Sequence, residues 1–265
     1  MIEQWRGWDL VRHGNKNLVV TIGESWTWGD SLGNTRHNVY DDREFRLDNV
    51  YGAHLARRLN ADFLNIAKPG ESNLWITDHL NWAKEHVHTL GYDKVYWFVT
   101  LTEVGREFNG DRDHLRVYTD LLKNIQGFND FIDQLSMLIA QELSKHPDVI
   151  IATNFVGNNY PDWLPVLQKT WVDIIAEYNK QPAPDLCFVV LSWVYERFSA
   201  VFEFNPDLDR STWLKQILEH MKKSDQVTNL LLASPINYKK ASKHPTPIGH
   251  EIWANYLFAQ LPQSV

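Results

Sequence analysis

The sequence contains a single cysteine, Cys187. An intramolecular disulfide is therefore impossible, and neither a disulfide scaffold nor a cysteine-based metal site is available. Its place inside the apolar run from Leu186 to Val190 reads as a buried, inert thiol. No apolar run approaches the ~20 residues that a membrane-spanning helix requires. The first residues, MIEQWRGWDLVRHGNKN, carry no apolar stretch of the secretion-signal kind. A chain made without export is expected, cytoplasmic or associated with a viral particle. Long Lys/Arg runs are also missing. The nearest cluster, Lys239, Lys240 and Lys243, reads as a solvated loop. With a formal net charge of -7, the chain gains no counterion-release energy from a phosphate backbone, so nucleic acid is not an expected partner.

What is present is a chain of 265 residues, 44% of them hydrophobic. That suffices for one large domain over 1–265, with residues 1–15 as an N-terminal extension. Twelve tryptophans are many for this length, and most sit within apolar patterns that suit core packing. Short apolar runs alternate with amphipathic stretches, as in a parallel sheet covered on both faces. Strands are expected at Asn17–Gly23, Ala61–Ile66, Lys94–Leu101, Val149–Thr153 and Leu186–Leu191. Helices are expected near Asp48–Leu59, Ser72–Leu90, Tyr118–Ser144, Asp162–Tyr178, Ser211–Lys223 and Pro247–Leu261, with an irregular region from Trp193 to Asp209. Such a fold places its chemistry in the loops at the carboxyl ends of the strands.

Those loops carry four blocks. The first strand runs into Gly23-Glu24-Ser25-Trp26-Thr27-Trp28-Gly29, a serine on a tight strand-to-helix turn. The second is followed by Asn65-Ile66-Ala67-Lys68-Pro69-Gly70-Glu71-Ser72, and the third by Thr100-Leu101-Thr102-Glu103. The last helix is preceded by His244-Pro245-Thr246-Pro247-Ile248-Gly249-His250. Two further strings offer a serine or an asparagine but do not follow a strand directly. Gly29-Asp30-Ser31-Leu32 has no strand leading directly into it, so Ser31 is not the expected nucleophile. Gly127-Phe128-Asn129-Asp130 lies inside an amphipathic helix.

In order and position the four blocks resemble those of the SGNH/GDSL hydrolases. The resemblance implies a three-layer α/β/α sandwich, flavodoxin-like, with five parallel strands ordered 2-1-3-4-5. It also implies an ester hydrolase acting on an O-acyl group, above all acetyl, of a carbohydrate or small molecule. Ser25 takes the place of the nucleophile and His244 that of the base. Gly70 takes the place of the oxyanion-hole glycine. Thr102 stands where the family has an asparagine, and its hydroxyl offers one hydrogen bond with shorter reach. Asn154 is a substitute donor at the end of the fourth strand, while Trp26 and Trp28 beside the serine are candidates to line the substrate site. Glu24 replaces the usual aspartate. Ala241 stands where the family carries the acid that orients the histidine, leaving either a Ser-His dyad or an acid from elsewhere. No metal or organic cofactor is implied. His79, His86 and His88 read as a solvated helix face and His250 as a packing residue. Val201-Phe202-Glu203-Phe204 either lines a cleft or packs. Two rival readings stand beside the ester hydrolase. One is a catalytically impaired member of the fold that binds carbohydrate or builds a particle; the other is a flavodoxin-type nucleotide binder, disfavoured by the charge of Glu24.

Overall fold

Successive side chains of a strand face opposite sides of a sheet, so a strand buried on both faces must be apolar at nearly every position. Residues Asn17–Gly23 (β3) meet that demand. Leu18, Val20 and Ile22 enter one core, and Val19 enters the other. The computed structural model describes residues 1–30, 32, 43–102, 125–154, 160–178 and 244–262. Within them the chain forms a six-stranded sheet from Ile2–Trp5 (β1), Trp8–Val11 (β2), β3, Ala61–Ala67 (β4), Lys94–Leu101 (β5) and Val149–Thr153 (β6). The order is β1-β2-β4-β3-β5-β6. The four later strands run parallel, and the N-terminal pair adds antiparallel to β4.

The helices are Ser25–Trp28 (α1), Arg43–Asn49 (α2), Tyr51–Leu59 (α3), Asn73–His86 (α4), Ile125–Leu143 (α5), Trp171–Tyr178 (α6) and Pro247–Ala259 (α7). The chain steps from β3 to β4 by way of α3 on one face. It returns across β3 to β5 by way of α4 on the other face, as right-handed crossovers require when direction reverses. On the α3 face, α6 and α7 complete a core built around Phe63, Phe98, Trp171 and Trp253. On the α4 face, α5 adds Leu135, Ile139, Ala140 and Leu143 to a core with Leu64, Ile66 and Val99. Three layers result, and the carboxyl ends of β3 and β5 lie at the point where the winding reverses.

The strands expected at Asn17–Gly23, Lys94–Leu101 and Val149–Thr153 form with those bounds, and the second extends by one residue to Ala67. The order 2-1-3-4 of these strands is also as expected. The fifth, Leu186–Leu191, lies outside the described residues. So do Trp193–Asp209, the helix at Ser211–Lys223, Val201 to Phe204, Cys187, Lys239, Lys240, Lys243, Ser31 and Ala241.

Three features differ from expectation. The N-terminal segment is a β-hairpin that widens the sheet. Its two-residue turn, Arg6-Gly7, has φ of 51° and 91°, the left-handed pair that matches strand twist. The helix expected from Asp162 starts only at Trp171, because Pro165 interrupts the stretch and a capping box begins at Thr170. Thr170 N–H donates to Asp173 Oδ2 (3.0 Å), and Asp173 N–H donates back to Thr170 Oγ1 (3.1 Å). His79 and His86 are not a solvated face. They stack on Trp75 (3.7 Å between ring centroids) and Trp82 (4.9 Å). Trp8 meets Trp75 and His79, and Trp5 meets Trp82. These rings fasten the hairpin to α4, which accounts for four of the tryptophans. His88 is exposed.

Trp171 is the hub of the α3-side core. It stacks on Trp253 at 5.2 Å, meets Trp26, Tyr51 and His250 edge-on, and donates its Nε1–H to Gly249 O (3.1 Å). It thereby joins α1, α3 and α7. Trp171→Ala is expected to cost about 3–5 kcal/mol in urea unfolding, and a loss below about 1 kcal/mol would contradict the hub role.

Candidate active site

Ser25 begins a one-turn helix directly after β3, and three constraints fix that turn. A Cβ on Gly23 would come within 2.2 Å of Thr27 Oγ1, so only glycine lets α1 fold back this closely. Asn65, on β4, donates to the carbonyls of Thr27 (3.3 Å) and Trp28 (3.4 Å) and accepts from Thr21 Oγ1 (3.3 Å). Glu24 caps the helix: its Oε2 accepts from Trp26 N–H (3.1 Å) and from the Ser25 hydroxyl, and its Oε1 accepts from Asn154 Nδ2. The Glu24 side chain is fully buried. Burial of a carboxyl group is tolerable only when its oxygens are hydrogen-bonded, and here three donors, from α1 and from the residue after β6, converge on it.

Those contacts place several expected site residues. Ser25 is 5% exposed, and its hydroxyl points to Glu24. Asn154 is a correction: its side chain is fully buried, with an amide N–H given to Glu24. Trp26 is a second correction. It is 3% exposed and packs edge-on against Trp171, so it belongs to the core and not to a substrate wall. Trp28 is half-buried, with the Arg46 guanidinium 3.8 Å over its ring. Arg46 also donates to Trp28 O (3.1 Å) and to Asp9 Oδ2 (2.9 Å), so the N-terminal hairpin braces the far end of α1.

The other loops reach the same edge. Lys68 N–H donates to Gly23 O (3.2 Å), which ties the start of the loop after β4 to the serine turn. Gly70, two residues on, has φ of 84°, and nothing lies within 4 Å of where its Cβ would be. The Gly70 backbone therefore lines open space. Thr102 is fully buried. Its N–H donates to Asn73 Oδ1 (2.8 Å), and its carbonyl accepts from Asn73 Nδ2 (2.9 Å). Asn73 thus mimics a backbone partner and pins the end of β5 to the start of α4. The string at 127–130 lies within α5, as expected.

His244 lies two residues before Thr246, which caps α7 by accepting from Gly249 N–H, with Pro247 in the first turn. Its Nε2 is 3.3 Å from Asp30 Oδ2, the two side chains being 16% and 26% exposed. Asp30 follows α1 closely, and its N–H donates to Ser25 O (2.9 Å). The histidine is thus linked, through Asp30, to the chain that leaves the serine's helical turn. Sequence reasoning missed Asp30, since it sits in a string rejected as a misplaced motif. It also missed Asn73 and the Glu24–Asn154 contact, which link distant loops and leave no local signal.

His250, on the first turn of α7, is fully buried, and its Nδ1 accepts from Tyr51 N–H (3.2 Å). Burial, then the charges of His54 and His244, hold its pKa well below 6.5. Tyr51 lies 3.0 Å from Thr100 Oγ1 through its hydroxyl, and burial pushes its pKa up to about 12. His250 is the packing residue expected. Among the described residues no cluster of His, Cys, Asp and Glu is arranged to hold a metal, and no helix is long and apolar enough to cross a membrane.

No family model matches the sequence, and no curated protein matches it. Solved structures do. A family two carbohydrate esterase from Clostridium thermocellum in complex with cellohexaose is 14% identical, with a TM-score of 0.38 over 94% of this chain and 64% of that one. The protein therefore spans just under two thirds of that chain's length. An acetylxylan esterase from Geobacillus stearothermophilus is 14% identical, with a TM-score of 0.33 over 93% of each chain. A lipolytic protein of the G-D-S-L family from Veillonella parvula is 14% identical, with a TM-score of 0.33 over 92% of this chain and all of that one.

The buried His250 has a measurable consequence. Its folded-state pKa is depressed, so the unfolded chain binds more protons and stability falls as pH drops below about 6.5, by at most about 1.4 kcal/mol per pH unit for one group. His250→Gln, which keeps an acceptor for Tyr51 N–H, is expected to flatten that slope in urea unfolding between neutral and mildly acidic pH. An unchanged slope would contradict a buried neutral imidazole.

Proposed function

We propose that the protein is a serine ester hydrolase that removes an O-acyl group, above all acetyl, from a carbohydrate or small molecule. The observation that carries this reading is that His244 reaches the residue whose backbone is bonded to the Ser25 carbonyl. Ser25 opens α1 at the carboxyl edge of β3, and His244 packs on Asp30, whose backbone is bonded to the Ser25 carbonyl.

The chemistry follows from those groups. Ser25 Oγ attacks the acyl carbonyl and its proton passes to His244, which then protonates the departing alcohol. The developing oxyanion is held by backbone N–H groups of Ser25 and Gly70, with Thr102 as a further candidate donor. Water, deprotonated by His244, releases the acid and restores the serine. For the first step the Ser25 hydroxyl exchanges its bond to Glu24 for one to the imidazole. These steps require no metal or organic cofactor.

One observation favours a second reading, a binding or structural protein on the same scaffold. Ser25 and Asn154 both spend their polar groups on Glu24. A fluorophosphonate probe, which reacts with activated serines, separates the two. An adduct mapped to Ser25, abolished in Ser25→Ala and retained in Ser31→Ala, is the expected result. No serine adduct on folded protein would overturn the hydrolase reading in favour of the second.

A further inference from the structure

We propose that Asp30 is the positioning carboxylate of His244, supplying from the first loop the acid that Ala241 cannot. The assignment deepens the Ser25–His244 reading and rests on it.

The contact joins residues from opposite ends of the chain, and both ends are anchored. Asp30 is held by its N–H bond to Ser25 O (2.9 Å), and the nearby Leu32 is buried in the α3-side core. His244 is held by the start of α7, where the Gly249 carbonyl, His250 and Trp253 are fixed against Trp171. A 3.3 Å approach of Nε2 to Oδ2 between two anchored segments costs little side-chain entropy, unlike a typical surface pair. The two side chains are also mostly shielded, at 16% and 26% exposure, which limits screening by salt.

The carboxylate decides which imidazole nitrogen carries the proton. An acceptor at Nε2 keeps that nitrogen protonated and leaves the lone pair on Nδ1. Nδ1 is then the base that takes the Ser25 proton, while Nε2–H stays donated to Asp30. The imidazolium formed lies against a carboxylate, and its Nδ1 proton goes on to the leaving alcohol oxygen. Asp30 neither gains nor loses a proton over the cycle, so it acts through His244 and not on substrate.

The experiment measures the rate of fluorophosphonate labelling against pH for the full chain, as wild type, Asp30→Asn and Asp30→Glu. Asp30→Asn is expected to react ~10²–10⁴-fold more slowly near neutral pH. The acidic limb of its profile moves to lower pH, because an imidazolium without a neighbouring carboxylate gives up its proton more readily. Asp30→Glu recovers part of the rate. A labelled wild type matched by Asp30→Asn in both rate and profile would overturn the assignment and leave the hydrolase reading standing. An unlabelled wild type would remove both. Should Asp30→Asn fail to fold, the wild-type protein still answers through the ring nitrogens of His244 by NMR. A neutral tautomer protonated at Nε2 supports the assignment, and one protonated at Nδ1 overturns it.

Discussion

The architecture around the site depends on one buried carboxyl group. Glu24, with no solvent exposure, ends β3 and starts α1. Its oxygens collect the Asn154 amide from the end of β6, the Ser25 hydroxyl and the Trp26 backbone N–H. A group of this kind is costly to bury unless every lone pair is answered. The three donors can answer it only if the ends of β3 and β6 lie at the same level and α1 begins where it does. The serine turn is therefore locked to the sheet edge by polar bonds, while the cores on either face supply most of the apolar burial.

Everything near the serine extends from that lock. Trp26 points inward onto Trp171, which carries Trp253 and His250 of the last helix. The start of α7, and His244 with it, is thus set relative to Ser25 through one aromatic hub. On the opposite side, Asp9 of the hairpin holds Arg46, and Arg46 covers Trp28. The same residues that make the turn rigid also occupy its polar groups, which is why the resting Ser25 hydroxyl faces Glu24 and not the histidine.

The central strands were legible because burial on both faces leaves a near-continuous apolar run, as at Leu18 to Ile22 and Val95 to Val99. The rejection of the string at 127–130 was equally legible from helical spacing. The hairpin was not, since its strands are four residues each and its turn is Arg-Gly in place of the familiar Asn-Gly or Asp-Gly. The late start of α6 was obscured by apolar residues around Trp163 and Leu164 that imitate a helical stripe. Within the site, the serine and histidine blocks could be read locally, because each is a loop with its own turn or cap residues. The partners of those residues could not. Asp30 for His244, Asn154 for Glu24 and Asn73 for the Thr102 backbone are long-range pairs set by topology, with no periodicity to betray them.

The most direct test of the account is whether Ser25 becomes acylated during turnover. Protein mixed with an activated acetate ester, quenched in acid within milliseconds to seconds and mapped by peptide mass spectrometry, reports the intermediate itself. The account predicts an acetyl group on the peptide containing Ser25, formed rapidly and lost again as water completes the cycle. Acetylation confined to lysines, or no modification at all while the ester is consumed no faster than in buffer, would contradict it.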